Sequence, residues 1–240
     1  MNCHKAYFNW STGKDSALAL HRLLQDSRYS VEKLITTVNR HYNRVSMHGL
    51  RNELLMQQAK AMGIPLTLVE LPEAPNMVMY ENIMAKAVTK LQSESFTHAA
   101  FGDIFLEDLK LYREQQLAPY KIQAIFPIWK RDTTQLLNEF LDLGFKSIVV
   151  CANSKYFNKD FVGTIIDRDF IKNLPDDVDP CGENGEFHTF CFDGPIFQQP
   201  IDFTIGGKIY REYDSPKTGD SDSKSPYGVW YCDLIPNEKV

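Results

Sequence analysis

The 240-residue chain lacks several features at once, and each absence removes a class of protein. Its five cysteines, Cys3, Cys151, Cys181, Cys191 and Cys232, are odd in number and include no C-x-x-C pair. That argues against a disulfide framework and against the paired spacing of structural zinc sites, leaving His188, Cys181 and Cys191 a poor ligand set. The cysteines read as free thiols of a reducing compartment. No apolar run approaches the roughly 18 residues that span a bilayer, and Met1 to Lys5 passes straight into a first strand without the apolar core of a signal peptide. A cytoplasmic protein with no membrane partner is expected. Positive charge is scarce too: 26 Lys and Arg against 31 Asp and Glu leave a net charge of −5. Binding along a phosphate backbone needs clustered Lys and Arg, so nucleic acid is not an expected partner. No internal repeat is evident.

What is present is an ordinary globular composition, 43% hydrophobic and 24% charged. From Lys5 to about Trp129 strands and helices alternate. Strands are expected over residues 5–10, 33–38, 65–71, 98–102 and 123–127, with helices over 16–25, 50–62, 77–91 (capped by Asn76) and 106–116 between them. This order predicts an α/β fold with a parallel sheet and helices on both faces. Ligands of such sheets bind beyond the strands' carboxyl ends, where residues 11–16, 39–49, 72–76, 102–106 and 127–131 should line one cleft. After Trp129 a helix over 133–143 leads to shorter strands at 147–151, 187–192 and 229–234. Gly206-Gly207 reads as a hairpin turn between strands at 201–205 and 208–211, and 213–226 as a polar loop. The division expected is a nucleotide-binding domain over 1–130 and a smaller α+β, substrate-facing portion over 131–240. The apolar late strands could serve a homodimer interface.

Ser11-Thr12-Gly13-Lys14-Asp15-Ser16 sits where the first strand hands over to the first helix. Small residues there expose backbone N–H groups to an anion at a helix N-terminus. Gly13 permits close approach, Ser11, Thr12 and Ser16 add hydroxyls, and Lys14 adds a point charge, so a phosphate or pyrophosphate is the expected ligand. The spacing is not that of the Walker loop. The stretch resembles the PP-loop, S-G-G-K-D-S, of the ATP pyrophosphatases, with Thr12 standing where the pattern usually has its second glycine. Were that position to need φ > 0, a β-branched residue would be strained there.

A second constellation, residues 179–189, packs Glu183, Glu186, His188, Thr189 and two glycines into a segment ending in an apolar strand. It resembles the E-G-G-E-[FY]-E-T signature of the diphthine–ammonia ligase family, with Asn184 in place of a glycine and His188 in place of a glutamate. Residues 46–51, 101–104 with Arg113-Glu114, and 126–129 with Arg131-Asp132 align in order with that family's other blocks.

The resemblance implies an adenine nucleotide alpha hydrolase-like, Rossmann-like domain that uses ATP, Mg²⁺ and ammonium to turn a carboxylate into an amide. The carboxylate would be the diphthine of elongation factor 2 if the organism makes diphthamide, and otherwise a small carboxylate. In this reading Ser11, Thr12, Gly13, Lys14, Asp15, Ser16 and Val38 hold the nucleotide. Lys14, Asp15, Asp103, Glu183 and Glu186 carry the chemistry, with Asp15 a possible Mg²⁺ ligand or only a helix cap. Substrate falls to His48, Arg51, Asp103, Trp129, Glu183, Asn184, Gly185, Glu186, His188 and Thr189. A tRNA-modifying ATP pyrophosphatase and a non-catalytic nucleotide sensor remain alternatives.

Overall fold

Ala6, Tyr7 and Phe8 are all buried, the signature of a strand covered on both faces. In a computed structural model describing residues 3–46, 48–213 and 227–237, they form the middle of β1 (His4–Asn9). This strand runs parallel to both β2 (Tyr29–Asn39) and β5 (His98–Ala100). β4 (Leu66–Leu71) extends the sheet beyond β2 and β6 (Gln123–Ile125) beyond β5, all in parallel, while the two-residue β3 (Arg44–Val45) pairs antiparallel with the end of β2. Four helices make the crossovers: α1 (Lys14–Leu24), α2 (Asn52–Met62), α3 (Met77–Ser93) and α4 (Glu107–Leu117).

Adjacent strand residues point to opposite faces, and the core divides accordingly. Phe8 packs with Leu20, Leu54 and Leu55 of α1 and α2. Tyr7 packs on the other face with Val88 and Leu91 of α3 and Leu117 of α4. Asn76 caps α3 by accepting from the Met79 N–H, as its position before the helix implies.

A second sheet of four antiparallel strands follows, ordered β8 (Phe187–Asp193), β7 (Lys146–Asn153), β10 (Tyr227–Pro236) and β9 (Phe203–Tyr213). α5 (Thr133–Asp142), capped by Asp132, precedes it, and the short α6 (Arg168–Lys172) lies between β7 and β8. Val149, Phe187, Phe190 and Leu234 of this sheet join Phe8 and Leu20 in one continuous core.

The hairpin expected at Gly206-Gly207 is absent, because β9 runs straight through both glycines. Lys208 pairs with Cys232 and Ile205 with Leu234, so the two glycines together oppose the single residue Asp233 in a β-bulge. A methyl on Gly206 would lie 3.2 Å from Ile235 Cδ1, which is the close approach the glycine serves. The loop read between Tyr213 and Pro226 lies, apart from Tyr213, outside the described residues.

Candidate active site

The turn after β1 is gripped from the second sheet. Gly13 occupies the N-cap of α1 and offers no side-chain acceptor to the first-turn N–H groups. The Ser11 and Ser16 hydroxyls lie 2.6 Å apart across the turn. The Cys191 N–H donates to the Thr12 carbonyl at 2.9 Å, and the Lys14 N–H donates to Thr189 Oγ1 at 3.0 Å. A methyl on Gly13 would meet the Thr189 carbonyl at 3.2 Å, and one on Gly102 would press on the Ser16 nitrogen at 2.9 Å. Both glycines therefore let backbone close on the loop from either side.

Fully buried Gln58 holds the assembly together. Its Oε1 accepts from Trp10 Nε1 at 2.9 Å, and its Nε2 donates to the carbonyls of Thr12 at 3.0 Å and Cys191 at 2.6 Å. Sequence reasoning missed it, although a glutamine on the buried stripe of α2 beside Leu54, Leu55 and Ala59 is the available signal.

Thr12 does adopt a left-handed backbone, with φ 75°. Its side chain is fully buried, and this conformation costs a β-branched residue on the order of 1–2 kcal/mol. Relief of that strain by Thr12→Gly, less the entropy that glycine adds to the unfolded chain, is expected to raise the unfolding free energy by at most about 1 kcal/mol in a urea melt. A lower midpoint would mean that the buried threonine's contacts outweigh the strain.

Three acids and a lysine converge behind the loop. Lys14 is only 2% exposed, and its Nζ donates to Asp15 Oδ2 at 2.8 Å and to the Cys181 carbonyl. Burial opposes its charge, but Asp15 first, and Glu183 in addition, hold the ammonium protonated above its ordinary value. Glu183 reaches across from the second half and accepts from the Ile104 N–H at 2.7 Å. Burial is the main reason that its carboxyl is pushed up to about 7, and the charges of Asp15 and Asp103 add to it against the Ile104 bond and Lys14. Asp103 is held by Arg113, with Nε 2.6 Å from Oδ2 and Nη2 3.0 Å from Oδ1.

Glu186 shapes the loop that carries Glu183. Only 2% exposed, it accepts at Oε1 from the Asp179 N–H and from Asn184 Nδ2, while its buried Oε2 has no partner among the described residues. Asn184 and Gly185 are exposed at the tip of that loop.

On the opposite side of the turn the rings of His48 and His188 stack at 4.6 Å, with His48 Nδ1 3.5 Å from Thr12 Oγ1. Burial first, then each ring's charged neighbours, lowers His48 to about 3 and His188 to about 4, so both imidazoles are neutral at pH 7. His48, Ser11, Thr36 and Thr37 line a cavity of about 280 Å³ together with Tyr80, Met84 and Arg113.

Three residues of the expected site lie apart from this arrangement. Val38 is 1% exposed and packs into the core of the α1/α2 face, while Ile35, Thr36 and Thr37 of the same strand line the cavity. Arg51 is committed to Asp233, with Nη2 2.7 Å from Oδ2. Trp129 packs at 5.4 Å on Phe126 and does not line the cavity. Helices α3 and α4 line the cavity, and residues 72–76, 102–106 and 127–131 do not.

The donor set fits a nucleoside triphosphate with its magnesium. No three His, Cys, Asp or Glu side chains among the described residues are grouped to cage a metal. Magnesium is commonly held by phosphates plus one or two carboxylates, and Asp15, 29% exposed beside the helix N-terminus, meets that need. Cys181 and Cys191 instead lean their thiols on the carbonyls of Thr133 and Asp193. No helix among the described residues is long and apolar enough to cross a membrane.

Known proteins supply an independent comparison. The family model described as diphthamide synthase N-terminal domain matches residues 4–116, and that described as diphthamide synthase C-terminal domain matches residues 132–217. A diphthine–ammonia ligase of Danio rerio is 28% identical over 105 residues, 42% of this chain and 41% of that protein. The match thus spans about two fifths of that relative's length. Among solved structures, a U34-tRNA thiolase from Methanococcus maripaludis with its [4Fe-4S] cluster overlays 60% of this chain and 59% of its own, at 19% identity and a TM-score of 0.38. With all of the first sheet but β6 matched by one half of a two-part family and most of the second portion by the other, the chain belongs to the diphthamide synthase (diphthine–ammonia ligase) family of PP-loop proteins, on an adenine nucleotide alpha hydrolase-like fold with a smaller C-terminal domain.

Proposed function

We propose that this chain is an ATP-dependent ligase that adenylates a substrate carboxylate and converts it to an amide with ammonia. The observation that carries the reading is the meeting of the α1 N-terminus, where Gly13 supplies no side-chain cap, and the buried Lys14 ammonium with Glu183, a carboxyl delivered from the other half of the chain. Adenosine suits the cavity beside Ser11, and the outer phosphates suit the first turn of α1. Asp15, with the phosphates, would hold Mg²⁺, which when bound offsets charge on the departing pyrophosphate.

In the first step a carboxylate oxygen bonds to the α-phosphorus as the α–β bridging bond breaks, releasing pyrophosphate. Lys14 and the loop N–H groups stabilise the charge that moves onto that leaving group. In the second, the nitrogen lone pair of ammonia bonds to the acyl carbon, the C–O bond to AMP breaks, and Glu183 takes the proton that the nitrogen sheds. A group poised near neutrality suits that transfer. The domain boundary near residue 130, and elongation factor 2 diphthine as the carboxylate, belong to the same reading.

The test is a screen for pyrophosphate release with ammonium present, using elongation factor 2 bearing diphthine, small carboxylates and tRNA in parallel. AMP and an amide formed only with a carboxylate substrate are the expected result. Turnover stimulated by tRNA alone would overturn it.

A further inference from the structure

Residues 44–46 and 48–51 make a narrow turn whose tip carries His48. At its base Arg44 and Arg51 bridge antiparallel, the Val45 N–H donates to the Leu50 carbonyl at 2.8 Å, and the Gly49 N–H returns to the Val45 carbonyl at 3.2 Å. The tip forms a wall of both the cavity and the phosphate loop, through the stack on His188 and the approach to Thr12.

The base of this turn is gripped by one carboxylate from the far end of the chain. Asp233 Oδ1 accepts from Arg44 Nη1 at 2.9 Å and Arg51 Nε at 3.1 Å, and Oδ2 accepts from Arg51 Nη2 at 2.7 Å. Arg44 Nη1 also donates to the Gly49 carbonyl at 2.6 Å, so one guanidinium holds Asp233 and the residue next to His48 together. A second contact comes two residues earlier in β10, on the same face. A methyl on Gly49, whose φ is +66°, would lie 3.1 Å from Tyr231 Cδ1. Opposite Asp233 stands the Gly206-Gly207 bulge, a device that sets the local twist and aim of a strand.

We propose that Asp233, acting through Arg44 and Arg51, is a positioning residue that presses the His48 turn onto the phosphate loop, so that the second sheet sets nucleotide affinity from outside the binding site. The fork of Arg51 on both carboxylate oxygens, with the single bond from Arg44, fixes direction as well as charge. Although partial burial works against it, hydrogen bonds from Arg51 and Arg44 hold the Asp233 carboxyl below its ordinary range, so the clamp stays charged at neutral pH. The effect on nucleotide binding rests on the reading of the loop given above, whereas the seating of His48 does not.

The experiment uses the full chain and Asp233→Asn, which keeps shape and removes charge, with Arg51→Lys as a milder variant should the first fail to fold. Proton NMR follows the His48 ring in nucleotide-free protein between pH 5 and 8, and calorimetry gives the dissociation constant of α,β-methylene-ATP with Mg²⁺. In the wild type the His48 signal should stay flat. In a folded variant the released ring should titrate near its ordinary value of about 6.5, and nucleotide binding should weaken about tenfold, a modest share of what ångström-scale misplacement costs. A folded variant with a flat His48 signal, or with unchanged affinity and only a lower melting temperature, would reduce Asp233 to a structural tie and overturn the proposal. If the wild type binds no nucleotide, the ligase reading fails, and the NMR arm still decides whether Asp233 seats the turn.

Discussion

Lys14→Ala is expected to abolish measurable AMP formation from ATP, a fall of at least about 10²–10³-fold, the range found when one preorganised donor to a developing negative charge is lost. The ammonium is 2% exposed and lies against Asp15 and the Cys181 carbonyl, so neither water nor a neighbouring cation can replace it. Its removal also leaves Asp15 and Glu183 facing each other without the cation that opposes their repulsion. Lys14→Met keeps the buried volume and separates the loss of charge from the cavity that alanine leaves. Chromatographic detection of AMP, alongside far-ultraviolet circular dichroism, checks the expectation. A folded variant that retains turnover would remove Lys14 from the chemistry.

Glu183→Gln is expected to lower turnover about 10²-fold and to erase an inflection near pH 7 in its pH profile. The Glu183 carboxyl is raised by burial to about 7 from an ordinary carboxylate value of 4.5. A group that accepts a proton from the attacking nitrogen must be ionised, so wild-type activity should climb through pH 7 and then level. The same shift fixes the sign of its effect on stability. Between pH 4.5 and 7 the folded state binds more protons at Glu183 than the unfolded state does, so this residue's contribution falls as pH rises through that window and is constant above it. Glutamine does not titrate, so the variant should lose less stability than the wild type between pH 5 and pH 8. Thermal melts at the two pH values test this separately from catalysis.

The parallel sheet was legible because β1 carries a doubly buried apolar centre, β2 is rich in β-branched residues, and α1 and α2 between the strands bury residues at helical spacing. The turn after β1 was legible as a strand-to-helix junction because local backbone chemistry favours Ser, Gly and Lys there. Even the strain at Thr12 follows from the residue type once the turn geometry is fixed. The bulge at Gly206-Gly207 was not legible, since paired glycines serve a hairpin and a bulge equally well and only the register with β10 decides. Val38 illustrates another limit. Val38 packs into the α1/α2 core while Ile35, Thr36 and Thr37 line the cavity, a division that only the packed structure decides. The Asp233 clamp had no local signal, because its arginines lie 182 and 189 residues away in sequence. Stacking of His48 on His188 likewise joins segments that only the packing of the two sheets brings together.

The central claim concerns where a triphosphate sits, and a crystal structure of the protein with α,β-methylene-ATP and Mg²⁺ tests it most directly. The account predicts the phosphate chain against the backbone of residues 11–16, with the adenine in the cavity beside Thr36 and Thr37 and the Asp15 carboxylate turned to the metal. A nucleotide bound elsewhere, with the first turn of α1 left to solvent, would contradict it.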